Sequence, residues 1–258
     1  MQSGAVGCGI FIELGDGPCT VDNNVCAFTP CGDGIYLHDS SGVTIAHNLC
    51  MANAHFGIYT RVVTDRKCFD ASGRHVLCEC SRLRLLNNLV ADNYRGHVCV
   101  PAASERVKQN EIDYNLYLNG FQWHWEGMAY HQFCINQSNG PSTQPDAIVN
   151  NKNVSPTPLV SFDVWQKQCG FDINGIISEI ARGEVENGAV EKGGAFLSSR
   201  EARLDVRDAR VIRLLSCHRL ANVMNDLCGK PIPESNAVPG PLQTTAEEPT
   251  SWKLWPLK

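Results

Sequence analysis

Short runs in which apolar and polar residues alternate recur along the first half of the chain. Four of these runs carry an asparagine near their end, and they read CTVDNNV at 19–25, VTIAHNL at 43–49, LRLLNNL at 83–89 and NEIDYNLY at 110–117. Three others begin with glycine, and they read GIFIE at 9–13, GIYLH at 34–38 and GIYTR at 57–61. Alternation with a period of two is typical of a half-buried β-strand. The pattern therefore predicts many short strands within the first 120 residues.

The spacing of the asparagines indicates how these strands are arranged. Asn24, Asn48, Asn88 and Asn115 are 24, 40 and 27 residues apart, and the longest interval is one period plus an inserted loop at about 62–80. A period near 24 with short strands and Gly- or Asn-centred turns is typical of coils that stack at roughly 4.8 Å. Leucine-rich repeats and propellers would show other spacings. We therefore predict an all-β fold, a right-handed parallel β-helix (solenoid), in which the asparagines form a hydrogen-bonded ladder.

The repeat divides the chain into four predicted regions. These are β-helix coils at 1–120, covering loops at 121–160, a C-terminal extension of short helices and strands at 161–243, and a Pro-rich tail, predicted to be disordered, at 244–258. Within the extension, a short helix is predicted at 161–172 and one or two strands around 202–215. No amphipathic helix precedes the first strand, although solenoids normally carry caps. We therefore expect missing N-terminal coils or a stacking partner at that end.

Composition narrows the classes of partner. The chain has 258 residues, a net charge of -5 and no cluster of Lys or Arg, which argues against nucleic acid or an anionic membrane as its partner. No apolar run approaches the roughly 18 residues that span a bilayer, so a soluble protein without a membrane partner is expected. The thirteen cysteines are expected to be free and mostly buried. Their use slightly favours the cytoplasm, and the compartment is left open.

Alignment of the glycine-led runs predicts two columns of outward-facing residues. One column is aromatic and the other is titratable, and their members are Phe11, Tyr36 and Tyr59, then Glu13, His38 and Arg61. Both columns lie on one outer face because the aliphatic residues between them take the inner face. Aromatic rings stack on sugar C–H groups, while the polar groups handle hydroxyls and proton transfer. The columns thus suit a sugar site, with a purely structural ladder of mutually neutralising side chains as the alternative.

The segment WHWEGMAYH at 123–131 offers weaker candidates. His124, Glu126 and His131 lack the spacing of an HExxH metal motif. Trp123 and Trp125 either wall a groove or pack against the last coil. No glycine-rich phosphate loop follows a strand and opens a helix, so nucleotide binding has no support. We expect neither a metal nor another cofactor.

One stretch carries a family resemblance. GIFIELGDGPCTVDNNV at 9–25 resembles the FxEVxxGPxxVDNN segment of right-handed β-helix glycoside hydrolases related to family 120, the β-xylosidase type. Weaker similarity appears in GVTIAHNL, DYNLY, WQKQCGFDINGI and GKPIPESNAVPGPLQ, so that the correspondence is scattered over nearly all of residues 9–243.

The resemblance implies a role for Glu13. In that family the glutamate of this segment is the general acid/base, and the nucleophilic aspartate lies about one coil earlier in a WLDW-like strand. That strand would precede Met1, so the resemblance implies that the catalytic pair is incomplete in this chain. Asp16, in the turn after Glu13, and Asp39, beside His38, are the two candidates for a replacement carboxylate.

The sequence favours a glycoside hydrolase that acts on xylose- or arabinose-type plant polysaccharides or oligosaccharides. Glu13 and His38 are the candidate catalytic residues, and the candidate substrate-binding residues are Phe11, Asp16, Tyr36, Tyr59 and Arg61. Two alternatives stay open. One is a non-catalytic polysaccharide-binding or scaffolding module, and the other is a polysaccharide lyase in which Arg61 or His38 acts on a uronate.

Overall fold

The chain folds into stacked coils of parallel strands, as predicted. The computed structural model describes residues 7–62, 66–70, 72–119, 133–136, 159–179, 185–186, 189–190, 195–198, 203–206, 216–243 and 250–253. In the described residues, each of four successive coils contributes one strand to each of three parallel sheets, and the next coil contributes to two of them. The prediction of a parallel β-helix is therefore confirmed.

Sheet A contains the glycine-led runs. Its parallel strands are β1 (Ile10–Glu13), β4 (Ile35–His38), β7 (Phe56–Arg61), β12 (Gly96–Pro101) and β15 (Phe133–Asn136), followed by the antiparallel β16 (Leu159–Val160). Aliphatic side chains stack on its inner face, where Ile10, Ile35 and Ile58 are in register. A coil strand therefore lies beyond residue 120, past the predicted end of the coils.

Sheets B and C complete each coil. The strands of sheet B are β2 (Asp16–Asp22), β5 (Ser41–Ala46), β10 (Arg84–Leu86) and β13 (Glu111–Asp113). The strands of sheet C are β3 (Val25–Ala27), β6 (Leu49–Met51), β11 (Leu89–Ala91), β14 (Leu116–Asn119) and β17 (Ile176–Glu179). The inserted loop forms a separate antiparallel hairpin of β8 (Lys67–Phe69) and β9 (His75–Leu77) between β7 and β10.

The predicted asparagine ladder stands at the corner between sheets B and C. Asn24 donates to Asn48 Oδ1 at 3.0 Å, Asn48 to Asn88 at 3.1 Å, and Asn88 to Asn115 at 3.0 Å through their side-chain amides. The residue before each ladder asparagine has a positive φ, at Asn23, His47, Asn87 and Tyr114. The side-chain amides thus satisfy backbone groups that a sharp left-handed corner leaves unpaired.

A second, unpredicted ladder stabilises the corner between sheets C and A. Thr29 N donates to Asn53 Oδ1 at 3.1 Å, and Asn53 Nδ2 donates to Asn93 Oδ1 at 2.8 Å. A Cβ on Gly34 would lie 2.8 Å from Asn53 Nδ2 and 2.6 Å from the Gly57 carbonyl oxygen. The glycine that opens this strand is therefore required by close packing against the ladder.

A helix closes the far end of the coils. The predicted helix is present as α1 (Phe162–Cys169), with Ser161 as its N-cap and Gly170 in a left-handed conformation after it. Trp165 is fully buried against the last coils. Asp172 ends the asparagine ladder, since its Oδ1 accepts from Asn115 Nδ2 at 2.9 Å and its other oxygen accepts from Tyr117 and Trp165.

The remaining described elements belong to the C-terminal extension. They are the β-hairpin of β18 (Val185–Glu186) and β19 (Ala189–Val190), and the antiparallel sheet of β20 (Ala195–Ser198), β21 (Arg203–Val206) and β22 (Thr250–Lys253). The strand predicted around 202–215 is present as β21, and β22 lies within the region predicted to be a disordered tail.

Residues 216–243 cover the outside of sheet C and its corner with sheet B. Val238 and Leu242 pack on Leu49, Leu89 and Leu116. The corner residue Asn87 donates to the His218 carbonyl at 2.8 Å, and its own carbonyl accepts from Gly240 N at 2.8 Å. The Pro-rich stretch is therefore docked on the coils by specific backbone contacts.

A pH dependence of stability is expected from His47, which is fully buried under this segment. Burial lowers the pKa of His47 to about 4 from the usual 6.5. Between pH 6.5 and 4, His47 is therefore protonated in the unfolded chain but neutral in the folded chain. The free energy of unfolding falls by about 3 kcal/mol as the pH decreases over this range. His47→Asn keeps a residue that tolerates positive φ. Urea unfolding of both proteins from pH 4 to 7 should show this additional acid loss in the wild type alone.

All thirteen cysteines are free, as predicted, and seven of them are buried. The thiols of Cys26 and Cys50 hydrogen bond to each other across two coils inside the core. Among the residues the structure describes, no helix has the length and apolar character needed to cross a membrane.

Candidate functional site

The two predicted columns are in register on sheet A. Phe11 pairs with Tyr36 and Tyr36 with Tyr59, while Glu13 pairs with His38 and His38 with Arg61. The rings of Phe11 and Tyr36 lie 5.1 Å apart, and those of Tyr36 and Tyr59 are stacked at 4.9 Å. The predicted alignment of the columns is confirmed.

The expectation that the whole aromatic column is open to a sugar is wrong. Phe11 is 52% exposed, but Tyr36 and Tyr59 are only 7% and 4% exposed. Their ring faces are occupied by neighbouring rings, and Phe56, Cys99 and Cys134 pack beside them. Phe11 is therefore the one ring of this column with a face available for stacking.

A compact polar cluster lies where sheet A turns into sheet B. We call Glu13, His38, Asp39 and Arg66 the corner cluster. Glu13 Oε1 is 2.5 Å from Arg66 Nη1 and 3.3 Å from His38 Nδ1. The opposite ring nitrogen of His38, Nε2, is 3.4 Å from Asp39 Oδ2. The imidazole therefore lies between two carboxylates, and one guanidinium nitrogen contacts all three groups.

Each member of the corner cluster is positioned by a different element. Glu13 is the last residue of β1 and His38 the last of β4. Asp39 follows His38 with a φ of 51°, so the strand ends there and the chain turns into β5. Arg66 comes from the inserted loop, where its carbonyl accepts from Cys78 N at 2.9 Å at the base of the β8–β9 hairpin.

The separation of the two carboxylates has a chemical meaning. Arg66 Nη1 is 2.5 Å from Glu13 Oε1 and 3.3 Å from Asp39 Oδ2, so these two oxygens lie within 5.8 Å of each other. Retaining glycosidases hold their two carboxyl groups about 5–5.5 Å apart, whereas inverting enzymes need about 6.5–9.5 Å. The oxygens of this pair are therefore closer than the separation in inverting enzymes, and the upper bound includes the retaining range. The Glu13 side chain is 36% exposed, and that of Asp39 is completely buried.

The electrostatics keep His38 neutral. Burial lowers the pKa of His38, and the charges of Arg66 and Arg61 lower it further against the opposing carboxylates of Asp39 and Glu13. A neutral imidazole donates from one ring nitrogen and accepts at the other. His38 therefore gives a proton to only one of the two carboxylates at a time. Arg66 also contacts both carboxyl groups, at Glu13 Oε1 and at Asp39 Oδ2.

The thiols beside Asp39 remain protonated. Burial raises the pKa of Cys80 to about 12, and the charge of Asp39 contributes to the increase. Burial also raises the pKa of Cys78 to about 12, with further contributions from Cys68 and Asp39. A protonated thiol is a weak nucleophile, so neither cysteine is a candidate nucleophile of this site.

Two of the predicted site residues, Asp16 and Arg61, are not members of the corner cluster. Asp16 is the first residue of β2 rather than a turn residue, because the turn is made by Leu14 with its positive φ. Its carboxylate binds Arg82 at 2.7 Å, which directs it toward sheet B. Arg61 lies one coil beyond His38 and acts on it through its charge. The guanidinium that contacts Glu13 at 2.5 Å belongs to Arg66, which sequence reasoning did not single out.

The weaker candidates of the 123–131 segment lie outside the described residues. These are His124, Glu126 and His131 as metal ligands, and Trp123 and Trp125 as groove walls. Within the described ranges, no group of three or more His, Cys, Asp or Glu side chains is arranged to hold a metal ion.

Comparison with known protein families agrees with this architecture. The family model described as the right-handed beta helix region matches residues 3–153, which is more than half of the chain. The chain belongs to the right-handed β-helix family. No curated protein and no solved structure was found to match it. Membership of the β-helix family establishes the fold and its hand, and it names no reaction.

Sequence reasoning missed Arg66 and gave little weight to Asp39. The segment DRKC around Arg66 has no counterpart in the other coils, so the repeat offers no position for it. Asp39 directly follows a strand end in the repeat, and its positive φ is shared by Leu14 one coil earlier. An acid at a corner position, next to a column of polar residues, was the available signal.

Proposed function

We propose that this β-helix protein hydrolyses glycosidic bonds, with Glu13 as the general acid/base and Asp39 as the partner carboxylate. The observation that carries the proposal is the separation of their oxygens, which is at most 5.8 Å. The substrate class is an oligosaccharide or polysaccharide of the plant type, with xylose or arabinose units as the first candidates. Phe11 offers the exposed ring on which a sugar stacks, two residues before Glu13 on the same face of β1.

The proposed reaction follows the double displacement of retaining glycosidases. Glu13 gives its proton to the glycosidic oxygen, while Asp39 attacks the anomeric carbon and the bond to the leaving sugar breaks. Glu13, now ionised, takes a proton from water, and the resulting hydroxide displaces Asp39 from the anomeric carbon. His38 supports both steps because its neutral ring contacts both carboxylates.

The contacts of the corner cluster favour this proposal over the two alternatives. A binding module would expose the aromatic column and would not need a second acid beside Glu13, but Tyr36 and Tyr59 are buried and Asp39 is in reach. A lyase would need a cationic side chain, without a carboxylate partner of its own, to neutralise the carboxylate of a uronate. The guanidinium of Arg66 is instead shared between two carboxylates.

The proposal predicts cleavage with retention of configuration. The wild-type chain is offered a panel of aryl xylosides, arabinosides, fucosides and galactosides, and the first-formed anomer of a hydrolysed substrate is recorded by NMR. The carboxylate separation requires that this product keep the anomeric configuration of the substrate. Inversion would remove Asp39 as the nucleophile. The absence of hydrolysis of the panel and the corresponding polysaccharides, both by the wild type and by Arg66→Ala, which removes the guanidinium from between the two carboxyl groups, would overturn the proposed function.

A further inference from the structure

The gap between the two proposed catalytic carboxylates is filled by the chain itself. Arg66 Nη1 contacts Glu13 Oε1 on one side and Asp39 Oδ2 on the other. The same nitrogen lies 3.2 and 3.4 Å from the two ring nitrogens of His38. The Asp39 side chain has no exposed surface in this arrangement. A sugar ring therefore has no access to Asp39 while Arg66 is in place.

The guanidinium of Arg66 occupies the position, and carries the charge, that the anomeric carbon of the sugar has in the proposed reaction. The anomeric carbon must lie between the proton donor and the attacking carboxylate, and it gains positive charge in the oxocarbenium-like transition state. Resting on the proposed function, we infer that Arg66 is an internal occupant of the sugar site, so that the chain is autoinhibited until its guanidinium is displaced. Ligands that carry a positive charge on a sugar-shaped ring compete with Arg66 for the two carboxylates.

Arg66 directly precedes the β8–β9 hairpin, whose strands form a two-stranded sheet of their own. The hairpin turns its Lys67, Phe69, His75 and Leu77 side chains toward solvent, and Phe69 is 65% exposed. At its turn, Asp70 accepts hydrogen bonds from Ser72 and Arg74. Arg66 therefore belongs to an insertion outside the coil sheets, whereas Glu13 ends a coil strand and Asp39 directly follows one.

The test compares cation binding in the wild type and in Arg66→Ala. The first probe is the guanidinium ion at millimolar concentration, with sodium chloride at equal ionic strength as its salt control. The second probe is a cationic iminosugar that corresponds to the sugar hydrolysed in the panel. If no sugar is hydrolysed, one iminosugar of each series is used. The control is Arg84→Ala, which removes another arginine that pairs with a carboxylate across two coils, Glu111 at 2.7 Å. Binding is measured by calorimetry and by the shift in melting temperature.

Arg66→Ala is expected to bind the iminosugar at least about tenfold more tightly than the wild type or the control. Guanidinium is expected to raise the melting temperature of Arg66→Ala only, because it refills the vacated contacts. Arg66→Gln, which keeps most of the side-chain volume without the charge, is measured in the same way in case the alanine variant does not fold. Equal guanidinium response in the variants and the control would overturn the inference.

The outcomes separate this inference from the proposed function. Hydrolysis by the wild type that is lost in Arg66→Gln and restored in Arg66→Lys would keep the proposed function and make Arg66 a positioning residue instead, against the inference. In another outcome, guanidinium stabilises Arg66→Ala but no variant hydrolyses a glycoside or binds an iminosugar. Arg66 would then occupy a cation-binding site, and only the assignment as a glycosidase would be overturned.

Discussion

Replacement of Glu13 by glutamine is expected to lower kcat for glycoside hydrolysis by about 10²–10⁴-fold, the usual contribution of a general acid/base. Glutamine has nearly the same shape but neither gives a proton to the leaving oxygen nor takes one from water. The effect on kcat/KM, which reports the first step, should be smaller for substrates with a good leaving group, because such a group needs little protonation. Steady-state kinetics on two aryl glycosides that differ in leaving-group acidity measure both effects.

A matched variant separates chemistry from folding. Glu111→Gln also removes a carboxylate that binds an arginine across two coils, since Glu111 pairs with Arg84 on the outer face of sheet B. This variant is expected to keep its activity. A Glu13→Gln protein with wild-type kinetics would remove Glu13 from the mechanism, whatever happens at Asp39.

The largest effect on stability is expected from Asp172→Ala. Asp172 accepts hydrogen bonds from Asn115, Tyr117 and Trp165 in the fully buried end of the core. Removal of the carboxylate leaves these donors without an acceptor, which destabilises the fold by about 4 kcal/mol. Urea unfolding followed by circular dichroism measures the change in the free energy of unfolding.

Two further variants define the cause of that loss. Asp163→Ala removes an exposed acid of the same helix, whose partner is Lys167, and should change stability by less than about 1 kcal/mol. Asp172→Asn keeps an acceptor for the ladder. Burial raises the pKa of Asp172 to about 6 from 3.8, so its contribution is full below pH 3.8 and is lost as the pH rises through 6. The asparagine variant should not show this dependence.

The coils are the part of the fold that the sequence predicts best. Short alternating runs and asparagines one coil apart are local features, and Asn24, Asn48, Asn88 and Asn115 indeed stack in one ladder. The second ladder of Asn53 and Asn93 went unnoticed because neither residue lies within the alternating runs. The burial of Tyr36 and Tyr59 depends on side chains from other coils, which a strand pattern does not place.

The sequence predicts two residues of the corner cluster, Glu13 and His38, but not the contact that Arg66 makes with them. Glu13 and His38 follow from the register of the repeat, and the structure places their side chains in contact. Arg66 lies 53 residues after Glu13 and 28 residues after His38, in an insertion that interrupts the period. Contacts between an insertion and the coils are set by tertiary packing, so no periodicity reveals them.

Labelling of the proposed nucleophile tests the central claim most directly. The wild-type chain is incubated with activated 2-deoxy-2-fluoro glycosides of the panel sugars, which form a slowly hydrolysed glycosyl ester on a retaining nucleophile. Peptide mass spectrometry then locates the added mass. The account predicts one labelled carboxylate, Asp39, with the label lost more slowly from Glu13→Gln because that variant has no base to activate water. A label on another residue, or no label on either the wild type or Arg66→Ala, would contradict it.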